Sequence, residues 1–267
     1  MSPINRAGQP PYALSHVTAA LLAVLALAQW TTPIADAVES SGPQQAHARG
    51  RIIYNRACLW CHGADGRGDG PAGWAIGRFA SPRPRDFVED GFKFRSTPSG
   101  HRPTDQDLFR IITRGIAGTM PPYTSLSESE RWDVIAYITS FNPESASEPP
   151  LPLAIPTPPL LPADASIAKG RHLYETLGCP SCHDSTAGNS GTRTDLLDSR
   201  GLAIRPTDLR SPKSFKNGAR PEDIYRTLIT GLDGTPMPSY AEQLTGQEDD
   251  GWHLANYILS LSADRGP

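Results

Sequence analysis

All four cysteines of this 267-residue chain stand in two copies of one motif, Cys58-Leu59-Trp60-Cys61-His62 and Cys179-Pro180-Ser181-Cys182-His183. The spacing puts two thiols on one helical turn and an imidazole directly after them. Thiols so placed can add to the two vinyl groups of a haem while the histidine comes under the iron. A disulfide framework leaves the histidine after each pair unexplained. A zinc site built from both pairs requires them to meet across 121 residues. A thioredoxin-like redox pair would sit in alternating strand and helix, and neither motif does. The pattern predicts two covalently bound haem c groups, one in each half of the chain.

The halves are copies beyond the motif. Cys58 and Cys179 differ by 121 positions, Trp132 and Trp252 by 120, and Tyr137 and Tyr257 by 120. Gly50 and Tyr54 precede the first motif as Gly170 and Tyr174 precede the second, a spacing that places each pair on one helix face. Asp107-Leu108-Phe109-Arg110 returns as Asp223-Ile224-Tyr225-Arg226, and Gly115-Ile116-Ala117-Gly118-Thr119 as Gly231-Leu232-Asp233-Gly234-Thr235. These read as a helix and the turn that ends it. Each copy closes with an amphipathic helix announced by a capping box, Ser127 with Glu130 and Thr245 with Glu248. Its inward stripe is expected at Trp132, Ile135, Ala136 and Thr139, and at Trp252, Ala255, Asn256 and Leu259, packing the last helix on the first.

The predicted organisation is therefore a leader over 1–37, one domain over 38–142, a proline-rich linker over 143–163 and a second domain over 164–267. Eight prolines between 143 and 162 forbid both helix and sheet. The connector either spans on the order of 60 Å, at ~3.1 Å per residue, or lies along the two domains. In the leader, Arg6 and His16 precede an apolar run from Val17 to Trp30, and Ala35-Asp36-Ala37 offers a signal-peptidase site, with cleavage expected after Ala37. The run is shorter than the roughly 20 residues of a spanning helix, so a membrane anchor is the lesser alternative. Export places the mature chain in the periplasm of a Gram-negative bacterium. A net charge of −3 shows no broad basic surface for nucleic acid.

Once histidine takes one axial position, the remaining iron site decides the haem's chemistry. Apart from Met1 the chain has two methionines, Met120 in Gly118-Thr119-Met120-Pro121-Pro122-Tyr123 and Met237 in Gly234-Thr235-Pro236-Met237-Pro238-Ser239-Tyr240. One falls in each copy, in a proline-flanked loop where a core filler would gain little, so both are expected as axial ligands. His47, His101, His172 and His253 have no counterpart in the other copy and are expected at the surface.

On these residues the chain resembles class I cytochromes c, and specifically diheme cytochromes made of two such domains in tandem. The resemblance covers nearly everything after the leader except the linker. It implies an all-α fold, two small helical domains each wrapped around one covalent haem. It implies a glycine–aromatic crossing of first and last helices, matched by Gly50, Tyr54 and Trp132 and by Gly170, Tyr174 and Trp252. Haem would be held by Cys58, Cys61, His62 and Met120 in one copy and by Cys179, Cys182, His183 and Met237 in the other, with iron ligated by the histidines and methionines. In the family a proline carbonyl accepts the proximal histidine's ring N–H and basic residues meet the propionates. Those roles would fall to Pro84 or Pro71, Pro206, Arg83 and Arg205, with Phe92-Lys93-Phe94-Arg95 a further propionate candidate. A plain turn with a solvated arginine is an equal reading. The glycine-rich stretch Gly63 to Pro71 looks like the family's loop, whereas Asp184 to Asp195 is more polar.

The function that follows is electron transfer between periplasmic redox proteins, a donor dehydrogenase and an acceptor oxidase or reductase. The chain would be a soluble shuttle or the cytochrome subunit of a larger complex, meeting a membrane only through a partner or an uncleaved leader. The enzyme alternative, a diheme peroxidase, needs a displaceable sixth ligand and an acid–base residue above one iron, and neither copy offers them.

Overall fold

The computed structural model describes residues 42–76, 83–89, 92–143, 151–160, 163–183 and 195–263. The leader and the 184–194 stretch lie outside these residues. Each copy begins with a long helix, α1 (Pro43–Ala57) in the first and α6 (Ala163–Thr176) in the second, followed by a single turn of helix that carries the cysteine motif, α2 (Leu59–His62) and α7 (Pro180–His183). The first copy continues through α3 (Pro71–Ile76), α4 (Asp105–Arg114) and α5 (Glu128–Thr139). The second continues through α8 (Pro221–Thr230), the short α9 (Ala241–Leu244) and α10 (Glu248–Ala263). Among the described residues there is no strand beyond two isolated bridges, Ile116 to Met120 and Leu197 to Ala203. The architecture is all-α, as the resemblance implies. No described helix is long and apolar enough to cross a membrane.

In each copy the last helix lies across the first, and a glycine makes the approach possible. A Cβ on Gly50 would run into the backbone carbonyl of Asp133, and one on Gly170 into that of His253. Any side chain there would force the helices apart. The aromatic residues at these crossings are Tyr137 and Tyr257, whose rings pack against Tyr54 at 5.2 Å and Tyr174 at 5.4 Å. The tryptophans do a different job from the one expected. Trp132 stacks on Phe109 of α4 at 4.4 Å and Trp252 packs on Tyr225 of α8 at 4.7 Å. They tie the last helix to the helix before the methionine loop.

The inward stripe of the last helix also differs. The buried residues of α5 are Asp133, Val134, Ile135 and Ile138, with Trp132 only half-buried. In α10, Trp252 to Ala255, Tyr257 and Ile258 are all buried. The helix is covered on more than one side, by the first helix, by α4 or α8, and at Val134 and Ile138 or Leu254 and Ile258 by the wall of a cavity. One amphipathic stripe cannot describe it.

The capping box of α5 forms: Ser127 Oγ accepts from the Glu130 amide at 3.2 Å and the Ser127 amide donates to the Glu130 carboxylate at 2.8 Å. Thr245 with Glu248 does not form one. From Tyr123 to Trp132 is nine residues, and from Tyr240 to Trp252 is twelve. The extra residues make α9, for which Thr245 is the C-cap, and α10 begins only at Glu248. The expected box is therefore out of register with the helix start.

The described residues from Pro43 onward form one compact unit containing both copies. The described part of the linker, 151–160, has no regular structure and lies along them. The Leu153 amide donates to the Ser96 carbonyl of the first copy at 2.7 Å, while Leu153 and Ile155 pack into the core of the second.

Candidate functional site

The first motif opens in a tight helical turn. The amides of Cys61 and His62 both donate to the Cys58 carbonyl, at 3.1 and 2.9 Å, and the second motif repeats this on Cys179 at 3.2 and 3.0 Å. Each turn sets both thiols and the imidazole on one side of the helix. None of the four cysteines is in a disulfide. Burial pushes the Cys58 thiol up to about 12, with Cys61 adding to the shift.

Both proximal imidazoles are oriented by a backbone carbonyl. His62 Nδ1 lies 3.3 Å from the oxygen of Arg85 and His183 Nδ1 lies 3.1 Å from that of Thr207. A carbonyl only accepts, so Nδ1 carries the hydrogen and Nε2 keeps its lone pair for a metal. Burial holds His62 down to about 4, against the opposing pull of the Arg85 carbonyl, so the ring is neutral at pH 7. The acceptors are thus not the prolines of the resemblance but the residues after Pro84 and Pro206. The Pro84 carbonyl instead faces Gly68, where a Cβ would collide with it. Phe87 stacks on His62 at 4.6 Å and 17°, which fixes the ring plane.

The methionine loops fold back on the helices that precede them. The Gly115 and Gly231 amides donate to Ile111 and Thr227, closing α4 and α8. Both glycines have positive φ, 70° and 64°, and a Cβ on either would meet the loop's own backbone beyond the methionine. The loop is then pinned by its ends: Ile116 donates to the Met120 carbonyl at 2.8 Å, and Leu232 to that of Met237 at 3.1 Å. Two tyrosines that the repeat displays, but whose role sequence reasoning missed, close the site. Tyr123 O–H donates to the Ala57 carbonyl at 3.0 Å, beside Cys58. Tyr240 hydrogen-bonds Cys179, and burial and that cysteine together push it up to about 12.

These groups face one space. A cavity of about 600 Å³ is lined by His62, Met120 and both cysteines of the first copy and by His183, Met237 and both cysteines of the second. The walls between are apolar: Leu108, Ile112, Val134 and Ile138 on one side, Ile224, Leu228, Leu254 and Ile258 on the other. A volume of this order is typical of cofactor sites.

Its charge is one-sided. Arg83, Arg85, Lys93, Arg205 and Lys216 line it, and among the described lining residues there is no carboxylate. Burial pushes Lys93 down to about 8, with Arg85 adding to the shift, and burial also lowers Lys216. Two half-buried lysines facing a cavity without acids fit a group that brings its own negative charge, as the propionates of haem do. Apolar walls, paired thiols, two imidazoles oriented by backbone carbonyls and two thioethers fit the rest of it. The lysines form a repeat sequence reasoning missed, Phe92-Lys93 against Phe215-Lys216. Of the other propionate candidates, Arg83 lies over the Trp74 ring at 4.6 Å, and Arg95 is turned away into the second copy.

The other described histidines are outside the cavity. His101 and His172 are exposed as expected. His47 is half-buried against Tyr137, and His253, against expectation, is 3% exposed. It stands where the first copy has Asp133, and its Nδ1 lies 2.8 Å from Ser166 Oγ.

A helical fold in which cysteine pairs, a carbonyl-oriented histidine and a methionine loop converge, twice, defines a tandem c-type cytochrome, whose business is electron transfer. The family model described as "Cytochrome C oxidase, cbb3-type, subunit III" matches residues 45–138 and again 165–258, and the chain belongs to that family. Among solved structures it is similar to a chain of a reducing HAO-like protein complex from Kuenenia stuttgartiensis, with a TM-score of 0.72 and 36% identity over 80% of this chain and 95% of that one. No protein of curated function matches it.

Proposed function

We propose that the protein is a periplasmic diheme electron carrier, built to work as the cytochrome subunit of a redox complex. The observation that carries the reading is the merged cavity, in which each copy supplies a carbonyl-oriented imidazole and a thioether. Haem iron bound there supplies one-electron oxidation and reduction. The residues do the remainder. Arg85 and Thr207 carbonyls hold the imidazoles in one tautomer, Ile116 and Leu232 hold the methionine loops closed, and the apolar walls exclude water. With a histidine and a methionine from each copy to hold it, haem would exchange electrons there without a substrate site and with little reorganisation. Opening of both crevices into one space favours passage of an electron between the copies. The similar chain from a reducing complex supports the subunit reading over a free shuttle. A peroxidase finds no support, because the described cavity residues offer no carboxylate and only the two proximal histidines.

The purified mature protein is expected to begin at Val38 and to carry two haems that acid–acetone does not extract. A ratio of one haem per chain overturns the diheme reading. Gel filtration from native membranes and periplasm tests the rest: co-elution with a larger redox enzyme is expected, and elution as a lone chain returns the protein to the shuttle class.

A further inference from the structure

The two methionine loops differ in one residue that the haem does not explain. Where the first copy has Ala117, the second has Asp233. Asp233 lies in the turn that leads to Met237, and its carboxylate is held by donors that all belong to the first copy. Arg95 donates to Oδ1 at 2.8 Å, Ser99 Oγ to Oδ1 at 2.7 Å and the Gly100 amide to Oδ2 at 2.9 Å. Arg95 is fully buried and also donates to the Thr230 carbonyl, at the end of α8, at 2.7 Å. The same guanidinium is braced on its own side by the Phe92 and Pro98 carbonyls, both at 3.0 Å. One rigid fork therefore grips the end of α8 and the first part of the loop that leads to Met237.

We propose that Asp233 is a positioning residue for the sixth iron ligand of the second copy, and that the first copy, through Arg95, Ser99 and Gly100, holds the Met237 loop closed. This rests on the reading of Met237 as an axial ligand. At the matching position of the first copy's loop, Ala117 offers its neighbour no carboxylate to hold. A methionine leaves ferric iron only if its loop can move out, and the clamp raises the cost of that movement. Competition by an external ligand measures it.

The experiment uses the full-length protein with both haems, and follows imidazole binding to the ferric form by loss of the near-infrared sulfur-to-iron band. Asp233→Ala removes hydrogen bonds to a charged group and is expected to raise imidazole affinity at one haem about tenfold, leaving the other as in the wild type. Arg95→Gln is expected to do the same. Lys169→Gln removes a pair with Asp250 at the second copy's own helix crossing, away from this loop, and is expected to leave the second haem's affinity unchanged. An equal rise in Lys169→Gln, or no rise in Asp233→Ala, overturns the clamp. If Asp233→Ala fails to load haem, Ser99→Ala removes a single exposed donor and must still shift the affinity in the same direction, or the clamp fails. Met237→Ala separates the two ideas. If it leaves the band at full strength, the ligand reading fails. If it removes half the band while Asp233→Ala changes nothing, the ligand reading stands and the clamp alone is lost.

Discussion

The first and second copies agree in the cysteines, histidine, methionine and lysine they turn to the cavity and disagree behind them. His62 and His183 are both oriented by a carbonyl two residues after an arginine, Met120 and Met237 both sit on a glycine-closed helix end, and Lys93 and Lys216 both enter the same space. Behind this surface the buttress of the helix crossing has been rebuilt. The first copy uses Arg49, in a two-pronged pair with Asp133 at 2.7 and 2.8 Å. The second has Lys169 there, paired with Asp250 one turn earlier, while His253 replaces the aspartate and is satisfied by Ser166, which also accepts from Asn256 at 2.8 Å. The cofactor contacts admit one solution, whereas a helix crossing needs only that its buried polar groups be satisfied.

The largest effect should fall equally on both copies. Gly50→Ala and Gly170→Ala each drive a methyl group into a backbone carbonyl, so each is expected to cost about 3 kcal/mol in guanidinium unfolding followed by circular dichroism. A cost confined to one copy would break the equivalence of the crossings.

Next comes a difference in acid stability. Burial is the main cause holding His253 below its ordinary value, so the unfolded chain binds a proton there more readily than the folded one. That contribution is fully present above about pH 6.5 and is lost as pH falls below it. Replacing His253→Gln is expected to flatten the decline of stability below about pH 6.5 relative to the wild type. An unchanged acid profile would show that the first copy, not this residue, sets acid tolerance.

The smallest effect is in potential. Removing a half-buried cation beside the cavity favours ferric iron, so Lys93→Gln and Lys216→Gln are each expected to lower a midpoint potential by ~30 mV, half the ~59 mV of a tenfold change for one electron. Spectroelectrochemical titration reads it. Equal shifts from both variants would extend the symmetry of the cavity to its charges, and unequal shifts would show which copy's lysine governs.

The residues that converge on the cavity were legible because a repeat compares the chain with itself. Two cysteine motifs and two lone methionines at matched places leave few other assignments. What escaped was whatever depends on a third neighbour. Val134 and Leu254 break the single-stripe pattern because the helix also walls the cavity. The Thr245 box failed because α9 consumed that residue. Arg95 looked like a propionate partner from its neighbours in sequence, yet its partner lies 138 positions away in the other copy. Prolines at 84 and 206 were near enough in sequence to suggest the histidine contact, but the chain turns so that the next carbonyl makes it.

Leu153 belongs to both copies at once, its amide to the first and its side chain to the second. The connector is thus glue as well as tether. A tether of this kind keeps the halves at an effective concentration of roughly millimolar, so the direct contact between them never has to reach the strength of a free dimer. Cut into two chains, the protein would lose the tether and the glue together, and its halves would drift apart at dilutions where the intact molecule stays closed.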